Sequence, residues 1–274
     1  MHTRHTFVLG AVILASIVGL VRAQQKNLGY DDTPMQPNGK WHIHDGARPQ
    51  PKIVTPGAAN ASSVAAMPPS DAIVLLGPGR DLSKWQTLDG SPATWPIDGG
   101  VVESGKGYIR TRDEFTDFQL HVEWATPAKV IGESQGRGNS GVFLLGKFEV
   151  QVLDSYQNPT YPDGQAAAMY GQFPPLVNAS RRPGEWQTYD IVFEAPRFGD
   201  DGKVTRPAIV TVLHNGVLVQ NHFELLGGTF YDRPAAYAKH AEKLPMHLQY
   251  HGNPIRFRNI WIREIQPIVG KKPE

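Results

Sequence analysis

The sequence predicts an all-β fold, a β-sandwich or jelly roll, and three observations carry that expectation. From residue 71 onward, about a dozen short runs rich in β-branched, aromatic and alternating residues follow one another. Gly, Asp, Asn and Pro separate them. No long stretch repeats its apolar residues at the 3.6-residue helical period. Many strands with almost no helix bury apolar faces best by packing one sheet on another.

Taken in order, the expected strands cover 72–76, 94–97, 100–104, 107–111, 117–125, 139–145, 147–153, 187–195, 208–214, 217–224, 245–251 and 255–265. Asp98-Gly99-Gly100 and Asp200-Asp201-Gly202 mark turns. Asn215-Gly216, between Val210-Thr211-Val212-Leu213 and Val217-Leu218-Val219, is the clearest hairpin signal. Pro234 to Glu242 is expected to form a short helix. Two long stretches, 126–138 and 155–185, lack a strand pattern. Loops of that length are usually functional or disordered. The second holds Tyr156, Tyr161, Asp163 and Tyr170, and its aromatic content argues for order.

The start of the chain is of another kind. Arg4, the apolar run Phe7 to Val21, and Val21-Arg22-Ala23 have the layout of a secretory signal over residues 1–23. The expectation is therefore an exported protein, periplasmic or extracellular, with no membrane attachment after cleavage. Residues 24–70 are rich in Pro, Gly, Gln, Asn and Ala. They are expected to run extended over the domain and to end in a flexible linker near 58–67. Residues 71–266 are expected to form the sandwich and 267–274 a tail.

Charge narrows the function classes. The chain has 27 basic and 26 acidic residues. Loss of the signal, with Arg4 and Arg22, leaves a net of −1 and no electrostatic case for nucleic acid or anionic membrane. With no cysteine there is no disulfide, thiolate metal site or Cys nucleophile. There is no phosphate-binding glycine loop and no Gly-x-Ser-x-Gly elbow.

Chemistry concentrates on two strands. In 147–153, Val150 and Val152 point to the core, so Glu149 and Gln151 share the opposite face. A one-residue bulge would return Asp154 to that face. Glu149 and Asp154 could then be the carboxyl pair of a retaining glycosidase, which needs a separation of about 5–5.5 Å. The alternative is an ordinary polar sheet face. In 245–251, Met246, Leu248 and Tyr250 take the core side, which turns His247, Gln249 and His251 outward together. Histidine suits proton transfer near neutral pH.

Other candidates are supporting. Arg137 and Asn139, beside Gly138 and Gly141, could hold a sugar hydroxyl or a developing oxyanion. Tyr156, Tyr161, Tyr170 and Trp186 could stack on sugar rings. Arg256 and Arg258 form a cationic face opposite Phe257 and Trp261, with Arg258 a candidate substrate contact. His42 and His44, if extended, share a face and are weak metal-ligand candidates, or else a polar patch that docks through Trp41 and Ile43. No motif demands a cofactor; a divalent metal is possible.

The runs Asp81-Leu82-Ser83-Lys84-Trp85, Asp117 to Trp124, Asn139 to Leu144, Phe148 to Asp154, Tyr170-Gly171, Gly184-Glu185-Trp186, Leu248 to Gly252 and Phe257 to Ile260 occur in a specific order. In that order they resemble the 3-keto-disaccharide hydrolase domain, over about residues 71–266. The chain departs from the family at Leu76-Gly77-Pro78-Gly79-Arg80, where Phe-Asn-Gly is usual. The resemblance implies a concanavalin A-like jelly roll that acts on disaccharides or glycosides oxidised at C3 of the sugar. It also implies a separate sugar dehydrogenase as upstream partner. Glu149 or His251 would be the base and the other the acid. Arg137, Asn139 or a metal would stabilise the enolate, and Gln151 and Gln249 would orient hydroxyls. A conventional retaining glycosidase and a non-catalytic carbohydrate-binding sandwich remain the alternatives.

Overall fold

The computed structural model describes residues 28–37, 39–57 and 67–266. The expected signal, most of the expected linker and the tail lie outside the described residues. Two antiparallel sheets make the sandwich. The larger has eight strands, in the order Val217–Glu224, Ile209–His214, Gln187–Glu194, Phe118–Ala125, Arg256–Glu264, Val101–Glu103, Ile97–Asp98, with Ile73–Leu76 also paired to Arg256–Glu264. The smaller has five: Trp85–Thr87, Ile109–Thr111, His247–Leu248, Ser140–Leu144, Phe148–Val152.

The core lies between the sheets and follows strand alternation. Phe118, Leu120, Val122 and Trp124 of one sheet face Val142, Leu144, Phe148, Val150 and Val152 of the other, and all are buried. Asn215-Gly216 makes the expected hairpin, with Asn215 (φ 53) and Gly216 (φ 76) both left-handed as a type I′ turn requires.

Several expectations are corrected. Short pairings at Lys52–Ile53, Trp85–Thr87, Val177–Asn178, Arg197–Phe198 and Val204–Arg206 had no sequence signal of their own. The 245–251 run is regular only over His247–Leu248. Pro234–Glu242 is not a helix. It crosses the sandwich end as irregular chain, held where Tyr237 Oη accepts from Ala208 N (2.8 Å) and donates to Leu225 O (2.7 Å).

The 155–185 loop is packed tightly, with Tyr161 through Met169 all buried. It runs along the free edge of Phe148–Val152. Ala167 N donates to Gln151 O (2.9 Å), Gln151 N to Ala168 O (2.9 Å) and Tyr170 N to Glu149 O (3.1 Å). The loop thus satisfies an edge strand that would otherwise invite pairing with another chain. Small side chains at Ala166, Ala167 and Ala168 let its backbone come that close.

Residues 28–37 and 39–57 lie across this loop. Lys52–Ile53 pairs in parallel with Val177–Asn178. Asp163, fully buried, receives bonds from Arg48 Nη1 (3.1 Å) and His44 N (3.0 Å). Gln36 Nε2 donates to Gly171 O (2.7 Å). The extended geometry expected of His42 and His44 fails because His44 is left-handed (φ 57). His44 is buried beside Asp163, while His42 Nδ1 contacts Thr33 O. Ile43 docks as expected, but His44 docks with it.

Candidate active site

Antiparallel register gathers the outward residues of the five-stranded sheet into rungs. Glu149 stands opposite Phe143, which stands opposite His247, then Arg110. One step along, Gln151 pairs with Gly141, and Gln249 N bonds Gly141 O (3.1 Å). Gln249 Nε2 reaches Tyr108 Oη (2.5 Å), just before the neighbouring strand Ile109–Thr111. Alternation places Glu149 and Gln151 on one face, and Asn139, Gln249 and Tyr108, each just beyond a strand end, join them there.

That face is the floor of a cleft of about 400 Å³, lined by these five residues with Phe143, Tyr170, Thr229, Phe230, Tyr231 and His251. Glu149 is 5 % exposed and Gln151 1 %, whereas Tyr231 is 60 % exposed. Depth thus runs from an acid–amide floor to an aromatic rim.

Gly141 makes room for the acid. A Cβ there would lie 2.3 Å from Glu149 Oε1 and 2.8 Å from the Phe143 ring. The carboxyl rests on bare backbone, which only glycine permits. Burial without a cationic partner pushes Glu149 up to about 8. The Gln151 amide has acceptors on both sides. In one orientation its NH2 reaches Gln135 Oε1 (3.0 Å); turned over, it reaches Glu149 Oε1 (3.3 Å) and Ser140 O (2.9 Å).

Tyr108 is a poised donor. Its oxygen accepts from Gln249, which leaves its own O–H for a ligand. Burial raises its pKa, the Gln249 bond opposes this, and Glu149 adds to it, so the phenol keeps its proton. Gln249 Oε1 is buried and lacks a hydrogen-bond partner, an acceptor held in the cleft wall.

Other expected site residues lie elsewhere. The strand ends at Val152, so no bulge returns Asp154 to the Glu149 face. Asp154 lines a separate cavity of about 200 Å³ with Arg137 and Gly138. Arg137 Nε bonds Asp154 Oδ2 (2.7 Å) and its Nη2 donates to Tyr156 O (2.9 Å). Arg137 and Tyr156 are therefore not in the Glu149 cleft. Arg258 is on the other sheet, bonded to Glu123 (2.6 Å) and 4.0 Å over Trp186. Trp186 is likewise outside the cleft.

His251 does line the cleft, exposed at its rim beyond the short strand. His247 shares its face but packs against Gly146. Burial, with Arg110 and Lys147 nearby, lowers it to about 4. It is neutral near pH 7 and so holds no acidic imidazolium proton.

Residues without an earlier signal complete the cleft. Tyr108 could have been found, since it alternates with Arg110 on an expected strand. Thr229, Phe230 and Tyr231 come from irregular chain, where periodicity is silent. Among the described residues the cleft lining holds one carboxyl group, and no three His, Asp or Glu gather as a metal site.

A buried acid, paired amides and an aromatic rim on an all-β sandwich face define the class: a carbohydrate-active enzyme or binding domain. More particularly, the chain belongs to the 3-keto-alpha-glucoside-1,2-lyase-like domain family, whose model matches residues 71–263. A candidate glycosyl hydrolase from Parabacteroides distasonis is 47 % identical, covers 85 % of this chain and all of its own, and superposes with a TM-score of 0.72. A second from the same organism is 17 % identical over 69 % of this chain and 91 % of its own, TM-score 0.51, which speaks to fold alone. Among curated proteins none matches.

Proposed function

We propose that this protein cleaves the glycosidic bond of 3-keto-glycosides by elimination and hydration. The observation that carries the reading is the Glu149 carboxyl, alone among amides and aromatic rings and held near pKa 8. A base of that strength is matched to a proton made acidic by a neighbouring ketone.

The steps balance. Glu149 takes the C2 proton, and the C2–H electrons form the C2=C3 enolate, with negative charge on the C3 oxygen. The Tyr108 O–H and the amide groups of the floor stabilise that oxygen. The enolate then collapses: C3=O re-forms, C1=C2 forms, and the C1–O bond breaks with its electron pair leaving on the aglycone oxygen. His251 at the rim gives that oxygen its proton. Water adds at C1, the proton returns to C2, and the net change is hydrolysis. Gln151 and Gln249 orient ring hydroxyls.

A retaining glycosidase is less favoured, because its second carboxylate has no place in the cleft lining. The substrate must come from a separate oxidation at C3, hence a sugar dehydrogenase acting first. Consistent with the layout of residues 1–23, we place the reaction outside the cytoplasm.

The test is turnover of a 3-keto-glycoside in D2O. The expected result is aglycone release with deuterium at C2 of the sugar product, both lost in Glu149→Gln. Release without deuterium, or equal release from the unoxidised glycoside, overturns the mechanism. Binding with no product leaves a carbohydrate-binding domain instead.

A further inference from the structure

The N-terminal segment lies before the family match at 71–263, yet its Tyr30 and His44 reach the wall of the cleft. The contact centres on His44, which is 1 % exposed. Its ring lies 4.4 Å from Tyr161, 4.7 Å from Tyr170, 5.6 Å from Tyr231 and 6.3 Å from Tyr30, centroid to centroid. Tyr170 and Tyr231 line the cleft. Tyr161 Oη and Tyr170 Oη are 2.8 Å apart, and Tyr30 Oη and Tyr231 Oη 3.3 Å.

Four tyrosine rings around one buried imidazole thus join the N-terminal segment to Tyr170 and Tyr231, two of the three cleft tyrosines. Arg48 and Asp163 anchor that imidazole's backbone from behind, through bonds of 3.1 and 3.0 Å to the carboxylate. Tyr231 is an exposed ring on irregular chain, and its contacts with His44 and Tyr30 fix its plane. Ring faces recognise the C–H face of a sugar best when their orientation is fixed beforehand.

We propose that the N-terminal segment, through Tyr30 and His44, is part of the substrate site, with Tyr231 the platform for the leaving-group half of the substrate and Tyr30 and His44 the positioning residues that hold it. The floor around Glu149 takes the oxidised sugar. The rim, being furthest from that floor and open to solvent, takes what is attached at C1. The proposal deepens the reading above and rests on it.

The experiment compares a methyl 3-keto-glycoside with a 3-keto-disaccharide of the same anomeric configuration. Because Tyr231 and Tyr30 are 60 % and 40 % exposed, their removal does not threaten folding. Tyr231→Ala is expected to raise KM about tenfold for the disaccharide, the equivalent of one lost ring contact, while kcat holds and the methyl glycoside stays within roughly twofold. Tyr231→Phe retains the ring and restores most of the affinity. Tyr30→Ala shifts the same KM in the same direction by a smaller factor.

Equal losses on both substrates, or none, overturn the platform. An effect of Tyr231→Ala without one from Tyr30→Ala overturns the role of the N-terminal segment. Failure of the unaltered protein to turn over either substrate refutes the underlying reading, and the proposal with it.

Discussion

Replacing Glu149 with Gln should give a stability advantage that grows as pH rises, while abolishing turnover. An ordinary glutamate in the unfolded chain loses its proton near 4.5, whereas burial holds Glu149 protonated to about 8. Between those values the native state binds a proton that the unfolded state does not. Stability therefore falls as pH rises, at about 1.4 kcal/mol per pH unit. The cost is on the order of 3 kcal/mol at pH 7 and nears roughly 5 kcal/mol above pH 8, where it levels off. Glutamine has nearly the same shape and no charge, so the variant escapes this loss. Urea unfolding of both proteins at pH 5, 7 and 9 measures it. The stabilities should be close at pH 5, and the variant should lead by several kcal/mol at pH 9. A constant difference across that range, or a less stable variant at pH 9, would refute the claim that the carboxyl is desolvated and unpaired.

Gly141→Ala should cut kcat by about a hundredfold or more, because the new methyl occupies the seat of Glu149 Oε1, with thermal unfolding showing a folded protein. Asp154→Asn should keep turnover within a few-fold, since Asp154 lines another cavity; a loss as large as that of Glu149→Gln would restore the two-carboxylate glycosidase. Arg137→Met, by contrast, leaves buried Asp154 without its cation and should cost about 3 kcal/mol in urea unfolding without a matching loss of kcat. On the outer face of the larger sheet, burial pulls His121 down, but Asp190 and Glu123 more than reverse this and hold it at about 9. Its folded value being raised, its contribution is whole below about 6.5 and disappears as pH passes 9. The advantage of the unaltered protein over His121→Phe in thermal melts should shrink across that window.

Much of the fold was legible because strand alternation is a local property. Phe148, Val150 and Val152 declare a core face, and once they do, Glu149 and Gln151 must share the other. The same logic put Gln249 and His251 on that side. It could not say where a strand stops. The bulge expected before Asp154 does not form: the chain leaves the sheet after Val152 and Arg137 captures the carboxylate. Nor does alternation identify which sheet a strand joins. Arg256 and Arg258 alternate as cleanly as Glu149 and Gln151, yet pairing with Phe118–Ala125 sets them on the far side of the sandwich. The aromatic rim was hidden for a third reason: Phe230 and Tyr231 sit in irregular chain, and Tyr231 is met by Tyr30, some two hundred positions away.

The lone carboxyl is itself an argument about substrate. A conventional glycosidase needs two, because an unactivated anomeric carbon demands both an acid for the leaving oxygen and a nucleophile or activated water. A ketone at C3 changes that requirement. It supplies the electron sink, so bond breaking at C1 follows proton loss at C2 and needs no nucleophile. What remains for the protein is one base of suitable strength, neutral donors around the C3 oxygen, and a proton source at the rim. A second carboxylate on the floor would work against this, since its charge would oppose the enolate that Tyr108 and the amides must stabilise. A carboxylate placed beside the floor, as in Gln151→Glu, should therefore slow proton abstraction from C2 rather than confer glycosidase activity. Loss of deuterium incorporation in that variant, with no gain on unoxidised glycosides, is the expected result, and a gain would show that the cleft is built for two-carboxylate chemistry.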